Sequence, residues 1–379
     1  MTIAGARPNF MKVASITEAV KAHNSSQNDP AIEHILVHTG QHYDQKLSKC
    51  FFDELGLPKP DINLEVGSGS HAVQTAEIMK RFEPVLLQEL PDILIVVGDV
   101  NSTIACTLVA SKISYPEDRS STGHERNRPV IVHVEAGLRS GDRSMPEEIN
   151  RILTDALSDL MFLTEEDAVK NLQAEGISKE KFVLAGNVMI DTLKRHLATA
   201  KESDVRARLD IPDRYGLVTM HRPSNVDSLE TLTPLLDCLN EISRSIPLVF
   251  PVHPRTRNTM ERFGLWEKFS DNAGMILIEP LAYLDFLNLL STATMVLTDS
   301  GGIQEETTAL HVPCITMREN TERPVTGTIG TNYLTGTAPE KILTAAREIL
   351  AGNGKRGETP PYWDGKAGER IIQELISRY

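Results

Sequence analysis

Cysteine is scarce in this chain. Four stand far apart in 379 residues, at Cys50, Cys106, Cys238 and Cys314, with no CxxC pair. That excludes a disulfide framework, argues against a thiolate zinc site and points to a reducing, cytoplasmic setting. Long apolar runs are missing too, since none approaches the roughly 20 residues a membrane span needs. The opening Met1-Thr2-Ile3-Ala4-Gly5 is cut short by Arg7 and Pro8, so no leader is expected. Positive charge is in deficit, with 39 Lys and Arg against 52 Asp and Glu, for a net −13. Nucleic acid and anionic membrane need a basic face and are not expected partners. A phosphorylated small molecule remains open, because one Arg, one Lys and a helix start suffice to hold it. No GxGxxG follows the first strand, and no His or Asp cluster has metal-ligand spacing. No cofactor is expected.

What is present is alternation. Short apolar runs of strand character lie at 33–38, 93–97, 130–134, 160–163 and 182–184. A second series lies at 217–220, 248–251, 275–278, 295–298 and 313–317. Helical patterns separate them at 12–23, 44–55, 72–90, 149–158, 189–200, 229–243 and 284–290. Fully apolar strands with helical crossovers mean parallel sheets covered on both faces. So many strands fit two doubly wound units better than one sheet. The expected division is 1–185 and 186–363, with a last helix in 364–379 crossing back to the first unit. The polar segment 116–129 reads as a solvated surface loop inserted before a strand.

In open α/β sheets, ligands sit beyond the carboxyl ends of the strands, so the residues just after each strand carry the information. Thr298-Asp299-Ser300-Gly301-Gly302-Ile303-Gln304-Glu305-Glu306 runs from a strand through a Ser-Gly-Gly turn into a helix. Free N–H groups at the helix start and two glycines suit a phosphate. A plain strand-to-helix connection reads equally well from this segment alone. Glu306, about a turn further in, is placed to accept sugar hydroxyls. Arg7 and Lys12 follow the first short strand. Asp99 follows another and could cap a helix, although Ser102 could do so as well. Glu135 leaves its strand with no helix start to cap. Glu147 follows Pro146 at a helix start. In the second half, His221 and Arg222 follow one strand and His253 another. Three carboxylates in the first half and a phosphate cradle in the second suggest chemistry on the sugar of a nucleotide sugar, in a cleft between domains.

The motifs form an ordered set. They are GARPNFMK at 5–12, TGQHYD at 39–44, GDVNST at 98–103, HVEAGLRSGDRSMPEEINR at 133–151 and GNVMIDTL at 186–193. The set continues with MHRPSNVD at 220–227, PVHPRT at 251–256, TDSGGIQEE at 298–306 and MRENTERP at 317–324. Together they resemble the non-hydrolysing UDP-N-acetylglucosamine 2-epimerases over nearly the whole chain. The resemblance implies a glycosyltransferase-B-like fold of two Rossmann-like domains, with the active site in the interdomain cleft, usually in a homodimer. It implies interconversion of UDP-N-acetylglucosamine and UDP-N-acetylmannosamine. UDP is eliminated to give 2-acetamidoglucal and added back with C2 inverted, without NAD or metal. It makes Asp99, Glu135 and Glu147 the catalytic carboxylates and His221 an aid to UDP departure. It makes Arg7, Lys12, Phe286, Ser300, Gly301, Gly302 and Glu306 substrate-binding residues, with Phe286 near the uracil. Gln41, Arg222 and His253 match part of an allosteric site found in some bacterial members, where Asp44 replaces a Gln. Val100 stands where the family usually has Thr. Relatives that epimerise UDP-2,3-diacetamido-glucuronic acid share these motifs. A hydrolysing epimerase, a glycosyltransferase of similar fold and a nucleotide-sugar sensor are the other readings.

Overall fold

The computed structural model describes residues 1–26, 29–40, 56–116 and 127–379, without the side chains of Arg7 and Pro8. Gln41, Asp44, the helical pattern at 44–55 and most of the 116–129 insertion lie outside the described residues. The chain forms two compact units. One comprises Met1–Thr192 with Pro361–Tyr379, the other Leu193–Pro360. The division falls after Thr192 rather than after residue 185, because the start of the helix Val188–Lys201 is anchored in the first unit. There Thr192 donates to the Met11 carbonyl at 2.6 Å, and Asp191 accepts from Ser15 at 2.7 Å and from the Gly368 amide at 2.8 Å. The last helix, Ala367–Arg378, packs on the first, Arg7–Ser25, with Gly368 close against Ser15.

Among the described residues the first unit holds a parallel sheet of seven strands. They are β1 (Thr2–Ala4), β2 (Leu36–His38), β3 (Ile62–Asn63), β4 (Ile93–Val97), β5 (Val130–Ala136), β6 (Leu160–Leu163) and β7 (Phe182–Leu184), in the order β3-β2-β1-β4-β5-β6-β7. The second holds six, β8 (Gly216–Thr219), β9 (Leu248–Pro251), β10 (Met275–Ile278), β11 (Met295–Thr298), β12 (Cys314–Thr316) and β13 (Asn332–Leu334), in the order β10-β9-β8-β11-β12-β13. Among the described residues every pairing is parallel. The edge strands β3 and β13 escape a sequence reading because two or three residues carry too little periodicity.

Helices cover both sheets as their patterns require. In His71–Glu89, Ile78, Phe82 and Leu86 recur every fourth residue and are fully buried against Ile3, Val37, Val96 and Ile131. In Leu229–Ser243, Leu232, Leu235, Leu236 and Leu239 fall at i, i+3, i+4 and i+7 and are buried against Val218, Phe250 and Leu297. Each such side chain contributes about 1.5–3 kcal/mol by leaving water. Both sheets reverse strand order once, between β1 and β4 and between β8 and β11. A doubly wound sheet binds ligands beyond the carboxyl ends of strands at such points.

Candidate active site

In the first unit, the reversal point gathers residues from four segments. The helix Arg7–Ser25 has no capping side chain at Ala6, but Asn9 takes over. Its carbonyl oxygen accepts from the Ala6 amide at 3.1 Å and the Gly5 amide at 3.3 Å, while its amide donates to the Val97 carbonyl at 2.9 Å. The helix start is thereby tied to the end of β4. One turn along, Lys12 meets Glu135, with Nζ 2.6 Å from Oε1 and both side chains buried.

Glu135 sits in a bulge of β5. The pairing with β6 shifts between Val134 and Ala136, and Glu135 has φ +69°. Positive φ is rare outside glycine and strains a glutamate backbone. Bulges next to active sites re-aim side chains, and this one places a buried carboxylate beside an ammonium. Gly98, just past β4, has φ +68°. A Cβ there would lie 3.0 Å from Lys12 Nζ and 3.6 Å from Glu135 Oε1, so the backbone passes close over the ion pair.

Asp99 does not cap the following helix. The cap position belongs to Val100 and carries no side-chain bond, and Ser102 instead meets the Thr39 hydroxyl at 2.8 Å. The Asp99 carboxylate pairs with Arg151 at 2.5 Å, and its carbonyl accepts from Asn150 at 2.9 Å. Arg151 also pairs with Glu148 at 2.7 Å. Burial alone would raise the Glu148 carboxyl, but the Ser140 amide, Arg151 and the Gly141 amide outweigh it and hold it below the usual range. Glu147, half-buried in the first turn of the helix Pro146–Leu157, is one residue away. Asn150, Arg151 and Glu148 were not singled out from the sequence. The spacing of Glu148 and Arg151 at i, i+3 on one helix was the available signal.

In the second unit, Asp299 organises the reversal point. It is fully buried and accepts from the His221 amide at 2.9 Å, the Arg222 amide at 2.8 Å and His221 Nδ1 at 3.1 Å. Burial would raise this carboxyl, but His221 and the two amides hold it below the usual range. His221 remains 41% exposed, with its ring centroid 5.6 Å from that of His253. His253 also accepts from the Arg255 amide at 3.2 Å, at the start of the helix Pro254–Arg262. Arg222 lies half-buried beside them.

The Ser-Gly-Gly turn is a helix start as the sequence indicates. Ser300 is the cap residue of Gly301–Leu310, and its hydroxyl makes no capping bond. The first amides thus have no side-chain acceptor from the cap, which suits an anion. A Cβ on Gly301 would lie 2.5 Å from Glu322 Oε1 and 3.1 Å from Arg323. Behind the turn runs a buried chain of charges. Arg323 pairs with Glu305 at 2.8 Å and with Glu322 at 2.7 Å, and Arg318 pairs with Glu322 at 2.9 Å. Glu306 is buried, and Phe286 is half-buried in the helix Tyr283–Thr292. Gln41 and the Arg7 side chain lie outside the described residues. Among the described residues no group of His, Cys, Asp and Glu could hold a metal ion.

The sequence model of a family described as UDP-N-acetylglucosamine 2-epimerase matches residues 24–376. The chain belongs to the UDP-N-acetylglucosamine 2-epimerase family. It is 42% identical to the UDP-N-acetylglucosamine 2-epimerase of Methanocaldococcus jannaschii, over 98% of this chain and 97% of that protein. The crystal structure of the M. jannaschii epimerase in complex with UDP-GlcNAc and UDP superposes with a TM-score of 0.86, at 41% identity and covering 99% of both chains. The UDP-2,3-diacetamido-2,3-dideoxy-D-glucuronate 2-epimerase of Pseudomonas aeruginosa is 39% identical over 99% of this chain and 98% of its own. A lipopolysaccharide outer core galactosyltransferase, at 14% identity and a TM-score of 0.54, shares the fold alone, two parallel-sheet α/β domains of glycosyltransferase-B-like type.

Proposed function

We propose that this chain interconverts UDP-N-acetylglucosamine and UDP-N-acetylmannosamine. The C2 hydrogen of the sugar is not acidic, because its neighbour is an amide nitrogen and not a carbonyl. Expelling UDP from C1 makes its removal feasible. A base takes the C2 proton as the C1–O bond breaks and its electrons leave on UDP, giving 2-acetamidoglucal. The return step puts a proton on the opposite face of C2 and rejoins UDP to C1.

That chemistry needs acid and base groups at C2 and cationic or N–H partners for the diphosphate. Asp99, Glu135 and Glu147 are read as the first set. His221, Arg7, Lys12 and the amides after Ser300 are read as the second. Glu306 accepts ribose hydroxyls, and Phe286 lies near the uracil. The observation that carries the reading is Glu135, a buried glutamate at φ +69° paired with Lys12. Backbone strain of this kind clusters at functional sites, and here it falls on a buried, ion-paired carboxylate at a strand end.

The test is turnover of UDP-N-acetylglucosamine in deuterated water. Deuterium at C2 in both epimers is expected, and an unlabelled C2 with active protein refutes the reading. A second reading is supported by the P. aeruginosa relative, whose substrate carries a second acetamido group and a carboxylate. Side-by-side assay of the two UDP sugars separates them. The resemblance also supports a cytoplasmic homodimer, to be checked by sedimentation velocity and by cell fractionation.

A further inference from the structure

We propose that His133 is a positioning residue carried as an imidazolium, whose two N–H groups clamp Asp155 on one side and the Gly98 carbonyl on the other, so that the peptide presenting Asp99 is fixed. The proposal deepens the epimerase reading and rests on it only for the catalytic role of Asp99.

The hydrogen-bond count carries it. His133 Nε2 lies 2.8 Å from the Gly98 carbonyl oxygen, which can only accept. His133 Nδ1 lies 2.6 Å from Asp155 Oδ1. The other Asp155 oxygen accepts from the Gly137 amide at 3.0 Å and from Arg139 at 2.7 Å. A carboxylate flanked by those donors is ionised and also only accepts. A ring between two pure acceptors needs hydrogen on both nitrogens, and a neutral imidazole has one. Charge balances locally. Asp155 lies between His133 and Arg139, and Glu175 takes the other side of Arg139 at 2.7 Å. His133 and Asp155 are both fully shielded from solvent. Across Gly98 stand Lys12 and Glu135, themselves paired.

Gly98 explains why such a clamp matters. At φ +68° and without a Cβ, its backbone has no side chain to fix it. It is held by its own hydrogen bonds, the amide to the Val134 carbonyl at 3.0 Å and the carbonyl to His133. The next residue is Asp99. His133 also sits two residues before Glu135 on β5, so one ring sets the strand-end peptide of one carboxylate from the strand that carries another.

The test has two arms. Nitrogen-15 spectra of histidine-labelled protein, with His133 assigned by its loss in His133→Gln, are taken at about pH 8, where an ordinary imidazole is neutral. Both His133 nitrogens should carry hydrogen, and one bare nitrogen overturns the proposal. In the second arm, His133→Gln keeps a donor near the Nε2 position and His133→Leu removes it. The Leu variant should lose roughly tenfold to a hundredfold in kcat, the scale of a small misplacement, with KM changed by less than about threefold. The Gln variant should recover most of that loss. Equal kcat in all three proteins, or a loss carried by KM, overturns it. If the Leu variant does not fold, the nitrogen spectrum decides. If the wild-type chain epimerises no UDP sugar, the functional reading fails, while the spectrum still decides the state of His133.

Discussion

Tyr283 donates its hydroxyl to Glu306 at 3.4 Å, and both side chains are buried in the C-terminal unit. Burial, then the charge of Glu305, pushes the Glu306 carboxyl up to about 8, with the Tyr283 bond acting in the opposite sense. Between the usual glutamate value and about 8, the folded chain holds a proton that the unfolded chain has released. Stability therefore falls as pH rises through that window. Denaturant unfolding across the window should show that slope in the wild type and a flatter one in Glu306→Gln. Identical slopes would remove the assignment.

Nucleotide binding should report on the same carboxyl. A carboxylate that accepts ribose hydroxyls is favoured in its charged form. UDP binding near neutral pH should thus release a proton from Glu306. Calorimetric titration of UDP in buffers of different ionisation enthalpy would reveal it. A binding heat that ignores the buffer counts against a ribose role for Glu306.

Lys12→Met leaves the Glu135 carboxylate buried without its ammonium. Removing one partner of a buried pair costs about 3–5 kcal/mol. The double change Lys12→Met with Glu135→Gln should be less destabilised than the two single losses combined, since residues in direct contact couple. Urea unfolding of all four proteins measures this. Strict additivity would mean that the pair does not interact.

Asp99→Asn and Glu135→Gln should each slow C2 deuterium exchange by about a hundredfold or more, as expected for proton-transfer groups. UDP affinity should hold within about threefold, because its proposed partners are largely elsewhere. A variant that exchanges at the wild-type rate is not a proton-transfer residue.

Gly301→Ala tests the cradle. The new methyl would meet Glu322 at 2.5 Å, and Glu322 is held by Arg318 and Arg323. Those neighbours are buried and paired, so the helix start has to shift. UDP affinity should fall, with little change in the proton-transfer rate at saturation. Unchanged UDP affinity would show that the Gly301 position is not part of the diphosphate site.

Much of this was legible in the residue order. Apolar runs such as 93–97 and 295–298 match β4 and β11 to the residue, because a strand buried on both faces is apolar along nearly its whole length. The helix at 229–243 was equally plain, with Ser228 capping it. The edge strands β3 and β13 were not, since Asn63 and Asn332 leave them without an apolar run. Glu135 stood out because no helix follows it. Its bulge and its pairing with Lys12, 123 residues away, could not be read from its neighbours.

The sequence by itself determined the two parallel sheets, the Ser-Gly-Gly helix start and the polar residues at the strand ends. Those follow from local periodicity and from backbone groups that need partners nearby in the chain. Only the tertiary structure decided the partners of those residues: Lys12 for Glu135, Arg151 for Asp99, His133 for the Gly98 carbonyl and Asp299 for His221. Each joins segments far apart in the chain. A buried charge must find its counterpart in space, and parallel strand order, not sequence distance, brings the two together.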